Sequence, residues 1–192
     1  MKYKVIVFDF FGVMSTVVAP RWFKEYFADD AITEIKKKYV QPSDAGTITE
    51  GDFFNEVSYL VPKTPAAIRG EWMDMVSINT DLVAYIKTLR NSYKTALCSN
   101  SPSLFLRDIM KKNELDGLYD SIIISGEVHI IKPDPAIFKL VLNTFDAEPH
   151  EAIFIDDSPR NVAGAKALGM NSFIFSGVEK LKADLASIGV VA

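Results

Sequence analysis

One stretch near the amino terminus, Val5-Ile6-Val7-Phe8-Asp9-Phe10-Phe11-Gly12-Val13-Met14, restricts the fold more than any other. Its run of Val, Ile and Phe is too short for a helix and reads as a buried strand. The run ends in a carboxylate, and Gly12 follows where the chain can turn away, so Asp9 is expected at the tip of that strand. Later segments share this form: Thr95-Ala96-Leu97-Cys98 before Ser99-Asn100, Ile122-Ile123-Ile124-Ser125 before a loop to Lys132, and Ala152-Ile153-Phe154-Ile155 before Asp156-Asp157. As parallel neighbours these strands would bring all their polar tips to one edge.

The intervening sequence supports parallel strands. From Asn79 onward helix and strand alternate: Leu82 to Leu89, the strand to Cys98, a helix from Pro102, a strand Ser121 to Ser125, and a helix from Pro135. The strand Ala152 to Ile155 follows, then a helix from Pro159 closed by Gly169, a strand Ser172 to Phe175 and a last helix from about Val178. This alternation predicts an α/β fold, a doubly wound parallel sheet with right-handed crossovers, whose ligands bind beyond the carboxyl ends of the strands. Residues 16–78 carry no strand candidate. They predict a helix from Pro20 through Trp22, Phe23, Tyr26, Phe27 and Ile32, a turn at Gln41 to Gly46, a helix capped by Thr49 or Thr47, and another opened by Thr64-Pro65. The expected organisation is a core of residues 1–15 and 79–192 with a small all-helical cap, 16–78, over the polar edge.

Composition excludes several classes. The 192 residues are 48% hydrophobic and 24% charged, enough for one sizeable core. A net charge of −4 without a long basic run lacks the footprint of a nucleic-acid binder. Lys36-Lys37-Lys38, the one basic cluster, reads as a solvated helix face or as a contact for an anionic substrate. The single Cys98 excludes an internal disulfide and a cysteine-rich zinc site and fits a reducing compartment. No apolar stretch approaches the roughly 18–20 residues of a membrane span, so a cytoplasmic protein with no membrane partner is expected, as monomer or homodimer. His129 and His150 have no partner at ligand or triad spacing.

Taken singly, Asp9 could be a turn residue, Ser99 a capping serine and Lys132 a surface charge. Together, Asp9 in D-x-F-G-V, Ser99-Asn100, Lys132-Pro133, and Asp156-Asp157 followed by Asn161 resemble motifs one to four of the haloacid dehalogenase superfamily of hydrolases, over Val5 to about Phe175. The resemblance implies a Rossmann-like core and a helical cap. It also implies a small phosphorylated substrate, with Asp9 as a nucleophile that forms an acyl phosphate. Ser99 and Asn100, at a helix start suited to anions, would hold the phosphoryl group, and Lys132, held by the rigid Pro133-Asp134-Pro135 turn, would neutralise nucleophile and transferred group. Clustered hard oxygens suit Mg²⁺. By resemblance Asp9, Asp156 and the main-chain carbonyl of Phe11 would be direct ligands, Asp157 would act on a bound water, and Asn161 would position Asp157 or Lys132.

One departure matters. Most phosphatases of the family read D-x-D, and this chain has Phe11 in the second place. That aspartate supplies general acid and base help, typically worth about 10² to 10⁴-fold. Three outcomes remain: a Mg²⁺-dependent phosphatase that is slow, takes good leaving groups or borrows an acid from the cap; a dehalogenase; or a binder of phosphorylated ligands without turnover. Dehalogenases carry an aromatic residue here, but Asp156-Asp157 with Asn161 follow the phosphatase pattern, and Arg21 is the only arginine before Arg69 to bind a halide. Phosphonate cleavage through a Schiff base on a cap lysine such as Lys24 is a further alternative.

Overall fold

The structure, a computed structural model, describes residues 2–191. Five parallel strands, β1 (Val5–Phe8), β2 (Lys94–Ser99), β3 (Ser121–Ile124), β4 (Ala152–Asp156) and β5 (Asn171–Ile174), form one sheet in the order β3-β2-β1-β4-β5. The chain winds outward from β1 to β3, then crosses back to build β4 and β5 on the other side. β1 therefore borders the switch point at which such sheets open a crevice. Phe8 pairs with Leu97 on one side and with Ile155 on the other. The next residue, Asp9, donates its N–H to the Ile155 carbonyl at 2.9 Å, so its side chain emerges beside that of Asp156.

The insertion after β1 is helical: α1 (Ala19–Phe23), α2 (Asp29–Ile35), α3 (Gln41–Asp44), α4 (Glu50–Ser58) and α5 (Pro65–Asp74). Its ends are tied together. Thr16 N–H donates to Ser77 O at 3.1 Å and Asn79 N–H to Met14 O at 2.8 Å, while the Thr16 hydroxyl donates to Met75 O at 2.7 Å.

Two sequence expectations fail within the insertion. The helix from Pro20 breaks after Phe23, because the chain turns through an extended Ala28 (ψ 158°) before Asp29 and Asp30 open α2 with their charges on its N-terminus. Gln41 to Gly46 is not a loop either. A π-helical turn, Lys36–Val40, carries α2 straight into α3 with Val40 and Gln41 still helical, so Pro42 lies inside a continuous helical run and withdraws one N–H from it. The turn comes only at Gly46, at φ +67°. Thr49 caps α4 as expected, accepting from Asp52 N–H at 3.0 Å.

After the insertion come α6 (Thr80–Leu89), α7 (Ser103–Lys112), the single turn α8 (Ser125–Val128) where the sequence suggested a loop, α9 (Pro135–Thr144), α10 (Pro159–Leu168) and α11 (Val178–Ser187). Side chains alternate across the sheet. Ile6, Phe8, Leu97, Ile153 and Ile155 face α6, α7, α11 and the insertion; Val5, Val7, Ala96, Cys98 and Phe154 face α9 and α10. Burial on both faces explains why the strands read as unbroken apolar runs.

The first apolar layer continues without a gap into the insertion. Trp72 of α5 lies edge-on to Phe105 of α7 at 5.9 Å and to Phe53 of α4 at 5.2 Å. Full burial of side chains of this kind is worth about 1.5–3 kcal/mol each, which holds the insertion on the sheet edge. Trp22 and Phe23 lie in this core.

Candidate active site

The carboxyl ends of β1, β2 and β4 bring the sequence-selected residues together. Lys132 is the hub: its side chain is fully buried, and Nζ lies 2.7 Å from Asp9 Oδ1 and 2.7 Å from Asp156 Oδ2. Asp9 Oδ1 also accepts the Phe10 N–H at 2.7 Å. Asp9 Oδ2 accepts no hydrogen bond among the described residues, so it is the oxygen left free for chemistry. The Phe154 ring lies 5.4 Å from the ammonium.

Asp156 is held on every side. Oδ1 accepts from Ser158 N–H at 2.8 Å and from Asn161 Nδ2 at 3.1 Å, and Oδ2 from Lys132 Nζ and again from Asn161 Nδ2 at 3.1 Å. Asn161 thus orients Asp156, not Asp157 or Lys132 as expected, because the first turn of α10 points its amide back at the strand tip. Asn100 differs in the same sense. Its amide donates to Lys132 O at 3.0 Å and its carbonyl accepts Lys132 N–H at 2.8 Å, so the side chain fixes the Lys132 backbone and is not free for a phosphoryl group.

Ser99 is wholly buried, and its hydroxyl has no partner among the described residues. A buried hydroxyl left unpaired costs about 1–3 kcal/mol, and one at a strand tip beside the carboxylates can bind a ligand oxygen. Asp157 is exposed and reaches back over Gly12, which stands at φ +88°. A Cβ at Gly12 would lie 2.2 Å from Asp157 Oδ2, so only glycine allows this approach.

Asp9, Asp156 and Asp157 each offer an oxygen within 4.8 Å of the others. Two of these carboxylates share the Lys132 ammonium and Asp157 has no ion-pair partner among the described residues, which leaves surplus negative charge at the tips. Burial, with Asp156 adding to it, raises the Asp9 carboxyl to about 7 against the pull of Lys132. Burial acts to lower Lys132, but Asp9 and Asp156 outweigh it and hold the ammonium above its ordinary value. Burial pushes the Cys98 thiol up to about 12, which leaves it an inert core residue.

The helical insertion closes over these groups. Phe11 stacks on Phe105 at 6.2 Å with 17° between the ring planes. Beside it lies a cavity of about 170 Å³, walled by Phe11, Val18, Trp72 and Phe105 and carrying Lys36, Asp44 and Asn100 as polar groups. Lys37 and Lys38 point to solvent, while Lys36 is half-buried in the wall. The Ser125 hydroxyl donates to the Asp44 carbonyl and accepts Ser101 N–H at 2.9 Å, and His129 Nδ1 meets the Ala45 carbonyl at 3.2 Å. Sequence reasoning missed Asp44 and Ser125 because one looked like a turn residue and the other like a strand end. A larger depression, about 970 Å³, lies at the opposite end of the strands, and its Arg90 and Lys94 are paired with Asp120.

Residues 3–169 match a family model described as haloacid dehalogenase-like hydrolase. The chain belongs to this family of hydrolases. Its sequence is similar to (S)-2-haloacid dehalogenase 1 of Pseudomonas sp. strain CBS-3, 27% identical over 55% of this chain and 47% of that protein. It is also similar to phosphoglycolate phosphatase 1 of Pseudomonas aeruginosa, 35% identical over 47% of this chain and 32% of that protein. The chain thus spans less than half the length of each. Among solved structures it is similar to a predicted HAD-like hydrolase from Porphyromonas gingivalis, with TM-score 0.82, 24% identity and coverage of 98% and 99%. A HAD family enzyme from Bacteroides thetaiotaomicron, in complex with magnesium and inorganic phosphate, gives TM-score 0.75, 24% identity and coverage of 91% and 94%. At these identities the likeness establishes the fold.

Proposed function

We propose that the protein is a Mg²⁺-dependent phosphatase that hydrolyses a small phosphate monoester through an aspartyl-phosphate on Asp9. The observation that carries this reading is the cluster of Asp9, Asp156 and Asp157, whose first two members share a single buried ammonium. The donors are hard carboxylate oxygens without nitrogen or sulfur, and their surplus negative charge suits a divalent cation. Asp9, Asp156, Asp157 and the Phe11 carbonyl would hold it. When bound, the ion would neutralise charge on the transferring phosphoryl group.

The chain's own residues do the rest. Asp9 Oδ2 attacks phosphorus while Lys132 and the Phe10 N–H hold Oδ1 and so fix the direction of attack. The third Lys132 proton and the unpartnered Ser99 hydroxyl receive phosphoryl oxygens. Asn100 acts indirectly, by pinning Lys132. Asn161 gives Asp156 its weakest donor, an amide shared between two oxygens at 3.1 Å, and this contact can yield when Asp156 takes a ligand. The all-helical segment, residues 16–78, serves as the cap that selects the substrate. A cytoplasmic location, as monomer or homodimer, goes with this reading.

Phe11 favours a second reading, a dehalogenase, since halide departs without a proton. Hydrolysis of p-nitrophenyl phosphate, with Mg²⁺ or EDTA and with Asp9→Asn as control, separates the two. Activity that needs both Mg²⁺ and Asp9 supports the phosphatase; no activity above Asp9→Asn, with release of halide from 2-haloacids, supports the dehalogenase.

A further inference from the structure

The missing second aspartate leaves a question of proton supply, and the cavity beside Phe11 bears on it. Among the described residues, Asp44 is the only carboxylate and Lys36 the only cation lining that cavity. The remaining wall is apolar except for Asn100, whose amide is already committed to Lys132. The Asp44 side chain has no hydrogen-bond or ion-pair partner among the described residues. Its main chain is anchored instead: Ser125 donates to its carbonyl, and its neighbour Ala45 receives His129. A Cβ at Gly46 would lie 2.5 Å from Gly126 O, so α3 seats tightly against α8. Asp44 is thus an unpaired acid held on a fixed backbone and lining the same cavity as Phe11.

We infer that this cavity receives the leaving group of the substrate, a phosphate monoester of a small and largely apolar alcohol, and that Asp44 is the catalytic acid and base supplied by the cap. The inference rests on the phosphatase reading. Asp9 Oδ2 forms a bond to phosphorus as the bond from phosphorus to the ester oxygen breaks, and the Asp44 proton passes to that oxygen to give the alcohol. The Asp44 carboxylate then takes a proton from water, whose oxygen attacks phosphorus as the Asp9–phosphorus bond breaks. Inorganic phosphate leaves, and Asp44 is protonated again. Charged groups from each neighbouring element act on Asp44. Burial raises its carboxyl to about 7, Lys36 of the π turn opposes this, Asp9 at the tip of β1 adds to it, and Lys132 opposes it. Such a group exchanges a proton readily near neutral pH.

The test compares p-nitrophenyl phosphate, whose leaving group needs no proton, with benzyl phosphate, whose leaving group does. Asp44→Asn, which keeps the side-chain shape, should lower kcat/KM for benzyl phosphate, which reports only the steps up to release of the alcohol, by about 10² to 10⁴-fold. For p-nitrophenyl phosphate the loss should be much smaller, and inhibition by inorganic phosphate should not change. Phe11→Asp in the Asp44→Asn background should restore benzyl phosphate turnover. Equal loss on both substrates, or no loss, overturns the role of Asp44 while Asp9-dependent turnover keeps the phosphatase reading. If Asp44→Asn does not fold, the wild-type enzyme decides: a steep fall of kcat/KM with rising leaving-group pKa overturns the inference, and a shallow one supports it. Absence of any Asp9-dependent phosphate release overturns both readings.

Discussion

Gly12→Ala isolates the dependence of the site on one backbone position. Gly12 stands at φ +88°, and an added Cβ would lie 2.2 Å from Asp157 Oδ2 and 2.4 Å from its Cγ. The left-handed backbone alone costs a residue with a Cβ about 1–3 kcal/mol. Ordinary Cβ contacts begin near 3.4 Å. The Asp157 carboxylate must therefore retreat by about 1 Å, a misplacement large enough to cost about 10²-fold in rate. The expected result is a fall of about 10²-fold in kcat/KM for p-nitrophenyl phosphate, weaker Mg²⁺ binding by calorimetry and a modest loss of Tm. Gly70→Ala is the control: nothing lies within 4 Å of its added Cβ, in the interior of α5. It should leave activity unchanged and gain up to about 1 kcal/mol from helix propensity. Wild-type rate and Mg²⁺ affinity in Gly12→Ala would show that Asp157 has no required place over Gly12.

Other outcomes follow from the same geometry. Lys132→Met leaves two buried carboxylates without their cation, so chemical denaturation in EDTA should show a loss of about 3–5 kcal/mol, with Mg²⁺ recovering part of it. Burial acts to raise the Asp120 carboxyl, but the Thr95 N–H, Lys94 and Arg90 outweigh it and hold it below the ordinary carboxylate value. A depressed folded pKa stabilises above the unfolded value and loses that stabilisation as pH falls through the folded value. Asp120→Asn should therefore unfold more easily than wild type at pH 7, by about 1–3 kcal/mol, and the difference should begin to close below about pH 4 and vanish once pH falls below the depressed folded value. Cys98, wholly buried with its thiol pushed up to about 12, should react with a thiol reagent only as fast as the chain unfolds.

The sheet was legible because its strands are buried on both faces, so Val5–Phe8 and Ala152–Asp156 read as apolar runs and their polar ends marked the edge. The site residues on those ends followed. What the sequence hid depends on contacts between distant segments. The turn signals at Gln41 to Gly46 are real, yet a π turn carries α2 into α3 through Pro42, and the chain turns only at Gly46. Asn161 and Asn100 sit at motif positions, but their partners, Asp156 and the Lys132 main chain, are fixed by the orientation of α10 and of the loop after β2. Asp44 carries no local signal, since its significance comes from Phe11, distant in sequence and sharing one cavity wall with it.

An aspartyl-phosphate route requires that Asp9 be phosphorylated during turnover. Mass spectrometry of enzyme acid-quenched while turning over p-nitrophenyl phosphate with Mg²⁺ tests it most directly. One phosphoryl group should be found on the peptide that holds Asp9, lost in EDTA and absent in Asp9→Asn. Turnover without that adduct, or an adduct on another residue, would contradict it.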